Sequence, residues 1–249
     1  MTARTIVAAT ALISIAACAQ QRQTPPTVVA LADATSSVGT PTIRARYLND
    51  LQTLIEWTGQ HGGRLFGDTI EGNGLATSTV PLDVDFARSA STPNNPLYAD
   101  ADLQAKRQTA IKEAKALTSA PPADATDIVG GVVSAAGLFA SRPDSAGLKV
   151  LAILSDMVQA TAGPPGNFYS DDLSASAINS KIEQLKRLGL VPNLRRVIVY
   201  VVGLGADNTS QLPPQRILAI QNFWRTYFTA SGATIPPGSF TPRMIGLPS

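Results

Sequence analysis

The chain has 249 residues, 44% of them hydrophobic, which is enough apolar material for the core of one large α/β domain or two small ones. Lys plus Arg number 20 against 18 Asp plus Glu, a net charge of +2, and aromatic residues make up 6%. This balance excludes the basic footprint of a nucleic-acid binder, and the scarcity of rings argues against an extended carbohydrate or base-stacking platform.

At the N-terminus Arg4 precedes a run of apolar and small residues from Thr5 to Ala17, and Cys18 follows. A positive start and an apolar stretch of roughly a dozen residues form the pattern of a secretory leader, shorter than the ~20 residues of a membrane-spanning helix. Ile15-Ala16-Ala17-Cys18 resembles the lipobox of bacterial lipoproteins. That resemblance implies a signal peptide over residues 1–17, acylation of Cys18 and attachment to a membrane of the cell envelope. Ala19 in the next position implies the outer membrane in a cell that has two. Cys18 is the only cysteine, so it has no partner for an intramolecular disulfide, and acylation removes an otherwise reactive thiol. The alternative is an ordinary export signal cleaved after an Ala-x-Ala-like site. Residues 18–26 then form the lipidated cysteine and a polar linker ending in Pro25-Pro26.

The folded domain is expected over residues 27–235. Thr27–Ala32 is an apolar run of strand length that stops at Asp33, as a strand buried on both faces would. Thr40-Pro41 supplies an N-cap and an N1 proline, and Ile43, Tyr47, Leu51, Leu54 and Ile55 recur at helical spacing until Gly62-Gly63. The runs 64–70 and 75–86 flank Asn73-Gly74, a hairpin signal that predicts an antiparallel pair at a sheet edge. Residues 97–117 have the composition of an exposed helix, and Ile128–Ala140 is so apolar and small-sided that it must lie close against a sheet. A buried strand over 148–154, an amphipathic helix over 174–188, a strand over 196–204 and a last helix from Pro213/Pro214 follow. Residues 236–249 are expected to be an irregular tail. The alternation predicts one α/β domain, doubly wound, with a mostly parallel sheet and one antiparallel edge strand.

In such a sheet the ligand site lies at the C-terminal ends of the strands. Asp33, Thr35 and Ser37 follow the first strand, Asp156 follows the middle strand, and Thr126 precedes the small-sided helix. Carboxylates and hydroxyls without His or Cys make a hard-oxygen set suited to Mg²⁺, Mn²⁺ or Ca²⁺ and poor for zinc or copper. Taken one at a time, each piece is equally a turn or a cap. Together, in this order, they resemble the von Willebrand factor A family, over about residues 27–230. The resemblance rests on Asp33/Thr35/Ser37 for the family's Asp-x-Ser-x-Ser loop, and on Thr126 and Asp156 for the Thr and Asp of later loops. It implies a Rossmann-like fold and a metal-ion-dependent adhesion site, at which an acidic side chain of an envelope or extracellular protein completes the shell of a divalent cation. Two departures stand out: Thr35 occupies a usual Ser position, and Met157 occupies a usual Gly position.

Other signals carry less. Gly203-Leu-Gly205 lacks the third glycine of a dinucleotide fingerprint, and a tight turn explains it. The single histidine, His61, sits at a helix end, and no nucleophile motif accompanies it. The leading expectation is a metal-dependent protein-binding module anchored to a membrane. The alternatives are a metal-assisted envelope hydrolase, with Asp124, Asp127 or Asp207 as candidate bases and no catalytic motif, and a structural lipoprotein with a vestigial site.

Overall fold

A computed structural model of the protein describes residues 24–72, 81–88, 95–141, 147–205 and 211–248. Cys18 and the segment 1–17 expected to be a leader lie outside the described residues, as do Asn73-Gly74, where a hairpin turn is expected, and Asp207. Six strands form one sheet: β1 (Thr27–Asp33), β2 (Arg64–Ile70), β3 (Leu82–Asp85), β4 (Lys149–Leu154), β5 (Val197–Val202) and β6 (Phe240–Thr241). Their order is β3-β2-β1-β4-β5-β6. All neighbours pair in parallel except β2 and β3, so the expected antiparallel edge strand is present.

Among the described residues, five α-helices cover both faces: α1 (Pro41–Gln60), α2 (Pro96–Thr118), α3 (Ile128–Ala140), α4 (Ala175–Arg187) and α5 (Pro214–Ala230). Strand β1 explains the layering. Its side chains alternate, Val29 and Leu31 joining the core against α3, α4 and α5, while Val28, Ala30 and Ala32 join the core against α1 and α2. All seven of its residues are buried, which is why the sequence reads as a continuous apolar run. Each fully buried Val or Leu contributes ~1.5–3 kcal/mol, and this apolar anchoring holds a strand that ends in a buried carboxylate, Asp33.

Local chemistry sets the helix starts. The Thr40 hydroxyl accepts from the Ile43 N–H at 3.3 Å with Pro41 at N1, and Ser174 and Asp127 cap α4 and α3 in the same manner. The small residues of α3 admit a close approach: a Cβ at Gly131 would already touch Leu31 and Ile70. At the opposite edge, β3 buries Leu82 and Val84 and exposes Asp83 and Asp85. Arg64 binds both oxygens of Asp83 at 2.7 Å.

The tail is more ordered than an irregular segment. Residues 240–241 add β6 to the sheet, and the chain then returns across α1. The Met244 N–H donates to Asp50 at 2.9 Å, the Tyr200 hydroxyl to Gly246 O at 2.9 Å, and Trp57 Nε1 to Pro248 O at 2.8 Å. Met244 is itself buried in the α1 core. No helix among the described residues is long and apolar enough to cross a membrane.

Candidate metal centre

The C-terminal ends of β1 and β4, neighbours in the sheet, bring two carboxylates together. Asp33 is the last residue of β1 and Asp156 lies two residues past β4; both are buried, at 6% and 2% exposure. Asp33 Oδ1 accepts from the Thr35 N–H at 2.9 Å and from the Thr35 hydroxyl at 2.6 Å, and Oδ2 accepts from the Ser155 hydroxyl at 2.6 Å. The Thr35 and Ser37 hydroxyls are 3.1 Å apart. The Asp-x-Thr-x-Ser segment therefore turns its alternate oxygens to one side, and the methyl group of Thr35 is accommodated in this turn.

Asp156 is differently placed. Its Oδ1 accepts from the Val158 N–H at 3.0 Å, while Oδ2 is buried without a hydrogen-bond partner. Burial, then the Asp33 charge, push its carboxyl up to about 7, offset in part by the Val158 N–H and the nearby Ser37 hydroxyl. Burial also raises Asp33, against the lowering effect of the bonds from Ser155 and Thr35. Among the described residues the donors recorded to these two buried carboxylates are neutral, which leaves the pair short of positive charge.

Thr126 arrives on a third loop, between α2 and α3, tied to both of the others. Ala123 exchanges backbone hydrogen bonds with Ala34 (3.1 Å) and Ser36 (3.3 Å) of the β1–α1 loop. Thr126 exchanges two with Ala160 of the post-β4 loop, at 3.1 and 3.0 Å. The loop that carries Thr126 is thus brought to the same end of the sheet, and Thr126 is 4% exposed. Asp127 next to it is occupied as a cap, accepting from the Gly130 N–H at 2.9 Å and from Gln159 Nε2 at 3.2 Å. Asp124 is exposed.

Several neighbours complete the surroundings of the pair. Ser155 both donates to Asp33 and accepts from the Met157 N–H at 2.9 Å. Met157 has φ +63°, a left-handed conformation in which a side chain costs about 1 kcal/mol or more. It is fully buried there, and its carbonyl accepts from Trp224 Nε1 at 2.9 Å, so burial and bonding offset the strain at a position the resemblance assigns to Gly. Tyr47 of α1 lies beneath the pair; burial and then the charges of Asp33 and Asp156 raise its phenol. Gly203, at φ +112°, allows this approach, since a Cβ would come within 2.8 Å of the Tyr47 hydroxyl and of Ser155 O. Tyr169 stands at the exposed rim, its phenol raised by burial and the Asp156 charge, with the Ser37 hydroxyl acting the opposite way. Gln159, fully buried, ties the post-β4 loop to the start of α3. Ser155 had a signal, its place beside Asp156. Met157, Tyr47 and Gly203 were marked in the sequence for other reasons, and Gln159 and Tyr169 carry no local signal.

Among the described residues no group of three or more His, Cys, Asp or Glu is placed to hold a metal. The cluster here is of another kind, two carboxylates with hydroxyls from Thr35 and Ser37. The orphaned Asp156 Oδ2 beside Asp33 fits a hard divalent cation, which would supply the missing charge and accept oxygen donors only.

No protein-family model matches the chain, and no curated protein matches it. Among solved structures it is similar to the pilus adhesin SpaC from Lactobacillus rhamnosus GG, in its open conformation and in a second crystal structure. Identity is 10% in both, with 88% of this chain and 28% and 29% of the adhesin covered and TM-scores of 0.46 and 0.49. It is also similar to manganese-loaded TRAP protein from Plasmodium vivax, at 14% identity, over 80% of this chain and 73% of that one, with a TM-score of 0.38. The chain spans less than a third of the adhesin's length.

Proposed function

We propose that the chain is a von Willebrand factor A-like module which binds a protein partner through a divalent cation held by Asp33, Thr35, Ser37, Thr126 and Asp156. The observation that carries this reading is the buried, partnerless Asp156 Oδ2 beside a second buried carboxylate. An uncompensated pair of this kind costs several kcal/mol, a cost that a cation of matching chemistry removes. Bound Mg²⁺ or Mn²⁺ supplies a Lewis-acidic position at which an acidic side chain of the partner completes the coordination. Asp33 and Asp156 balance the cation's charge. Thr35 and Ser37 present neutral oxygens, which leave it electrophilic, and Ser155 fixes the orientation of Asp33. The rim beside Tyr169 is the side open to a partner.

The lipobox resemblance at Cys18 supports a lipid-anchored module, with the domain a few extended residues from an envelope membrane, so its partner is an envelope or extracellular protein. Calorimetry tests the metal: wild type binds Mg²⁺ or Mn²⁺, and Asp33→Ala does not. Unchanged binding in Asp33→Ala overturns the site. Partner capture from envelope extracts should disappear with EDTA and return with Mg²⁺, and partners indifferent to the chelator overturn the mechanism. Mass spectrometry of the mature protein checks the anchor, which fails if the N-terminus is an unmodified residue other than Cys18.

A further inference from the structure

Gln159 lies three residues beyond Asp156, belongs to neither strand nor helix, and is fully buried. Its Oε1 accepts from two backbone N–H groups at the start of α3, Ile128 at 2.8 Å and Val129 at 3.2 Å. Its Nε2 donates to Asp127 Oδ1 at 3.2 Å and to the Thr161 hydroxyl at 3.3 Å. One amide thereby satisfies two of the orphan donors at a helix N-terminus and grips the acidic residue that caps a third. The next residue, Ala160, makes the paired backbone bonds with Thr126, and Ala160 also bridges to Asn167. The segment bearing Asp156 and the segment bearing Thr126 are therefore clamped by one side chain and one backbone pair. A Gln buried solely to cap a helix has no need to sit on the same short loop as a site carboxylate.

We infer that Gln159 is a positioning residue for the metal centre: it sets the Thr126 loop against the Asp156 loop, so that Thr126 is held in register as a donor before any cation arrives. This rests on the metal reading above. A preorganised donor keeps affinity from being lost to loop ordering, and removing an outer-shell support of this kind lowers metal affinity about 10–100-fold.

A double-mutant cycle on Mn²⁺ affinity, read by calorimetry or by the free-Mn²⁺ electron paramagnetic resonance signal, tests it. Gln159→Met keeps the volume and removes both polar functions. It should weaken Mn²⁺ binding roughly tenfold in the wild-type background and by less than about twofold in a Thr126→Val background, because the donor it positions is already gone. Its thermal destabilisation, which reports the helix cap, should be alike in both. Unchanged affinity, or an equal loss in both backgrounds, overturns the inference and assigns Gln159 to structure alone. Should Gln159→Met not fold, Gln159→Glu serves: it keeps the acceptor for α3 and loses the donors, and its added charge acts equally in both backgrounds and cancels in the cycle. Wild-type protein that binds no Mn²⁺ overturns the metal reading and this inference with it, whereas binding lost in Asp33→Ala with no Gln159–Thr126 coupling overturns the inference alone.

Discussion

Two buried aspartates, Asp50 on α1 and Asp156 beyond β4, have the same local deficiency and opposite surroundings. Each has one oxygen bonded to a backbone N–H, from Met244 and Val158 respectively, and one buried oxygen without a hydrogen-bond partner. Burial raises both. Around Asp50 the next influences are the Met244 N–H and the charges of Arg243 and Arg46, all of which favour the carboxylate. Around Asp156 the next influence is the carboxylate of Asp33, which opposes it. Among the described residues the chain's own cations favour the charge of one aspartate, while a second carboxylate opposes that of the other. A buried acid by itself is therefore no sign of a ligand site; what sets Asp156 apart is that its next influence is a second buried carboxylate.

The largest effect should come from neutralising each in turn. Asp156→Asn should reduce Mg²⁺ or Mn²⁺ affinity by roughly 100-fold or more and raise the melting temperature of the metal-free protein above pH 7, since it removes a like-charge pair. Asp50→Ala should do the reverse. It removes the acceptor for Met244 and the negative charge that Arg243 and Arg46 favour, costing about 1–3 kcal/mol, and leaves metal affinity intact. Thermal melts in EDTA, paired with metal calorimetry, check both. If Asp156→Asn lowers the melting temperature as Asp50→Ala does, the two aspartates are equivalent and the distinction fails.

The pH dependence follows from the same difference, with a smaller amplitude. A carboxyl raised on folding binds its proton more tightly in the native state than in the unfolded one. Native stability without metal should thus fall as pH rises from about 4, the ordinary Asp range, through about 7, where Asp156 is half ionised. Asp68, raised to about 6 chiefly by burial, contributes in the same direction. Saturating Mg²⁺ should cancel most of this decline, because metal affinity rises as Asp156 loses its proton. Urea titrations across that range check the sign. Asp156→Asn should retain only the shallower slope left by Asp68, Asp33 and Asp50, and a wild-type slope in that variant would assign the dependence elsewhere.

What could be read in the sequence divides along the same lines. Asp33, Thr35 and Ser37 are separated by two residues each and follow a strand whose uninterrupted apolar run marks it as buried on both faces, so their common location was legible. Asp156 was legible for the same reason, at the end of β4. Thr126 could be placed only by its position before α3, and its tether to Ala160 spans 34 residues that no periodicity links. Gln159 and Tyr169 had no local signal at all, since a Gln or Tyr in a loop reads as solvated until the fold turns it inward or sets it on a rim. The alternation of strands and helices was legible because period-2 and period-3.6 burial leave their mark over many residues. Strand β6 and the strap over α1 were not, because two residues are too few for a pattern and the Met244–Asp50 bond joins positions 194 residues apart.

The strap provides the smallest and most selective test. Helix α1 starts at the site, just past Ser37, and ends beneath the tail, so anything that shifts it along its axis could couple the two regions. Trp57→Phe keeps an aromatic ring beside His61 in a smaller side chain and removes one hydrogen bond, from Nε1 to Pro248 O at 2.8 Å. The bond is part-buried, so its loss should cost about 0.5–1.5 kcal/mol. Hydrogen exchange should accelerate in residues 244–248 without doing so in β1 or β4. Metal affinity should remain within about twofold of wild type, because the N-terminal end of α1 is fixed independently, by the Thr40 cap and by Tyr47 packed beneath the carboxylates. A larger change in affinity would mean that α1 transmits the state of the strap to Asp33 and Ser37, and the two aspartate regions would then be parts of one coupled device rather than separate solutions to the burial of an acid.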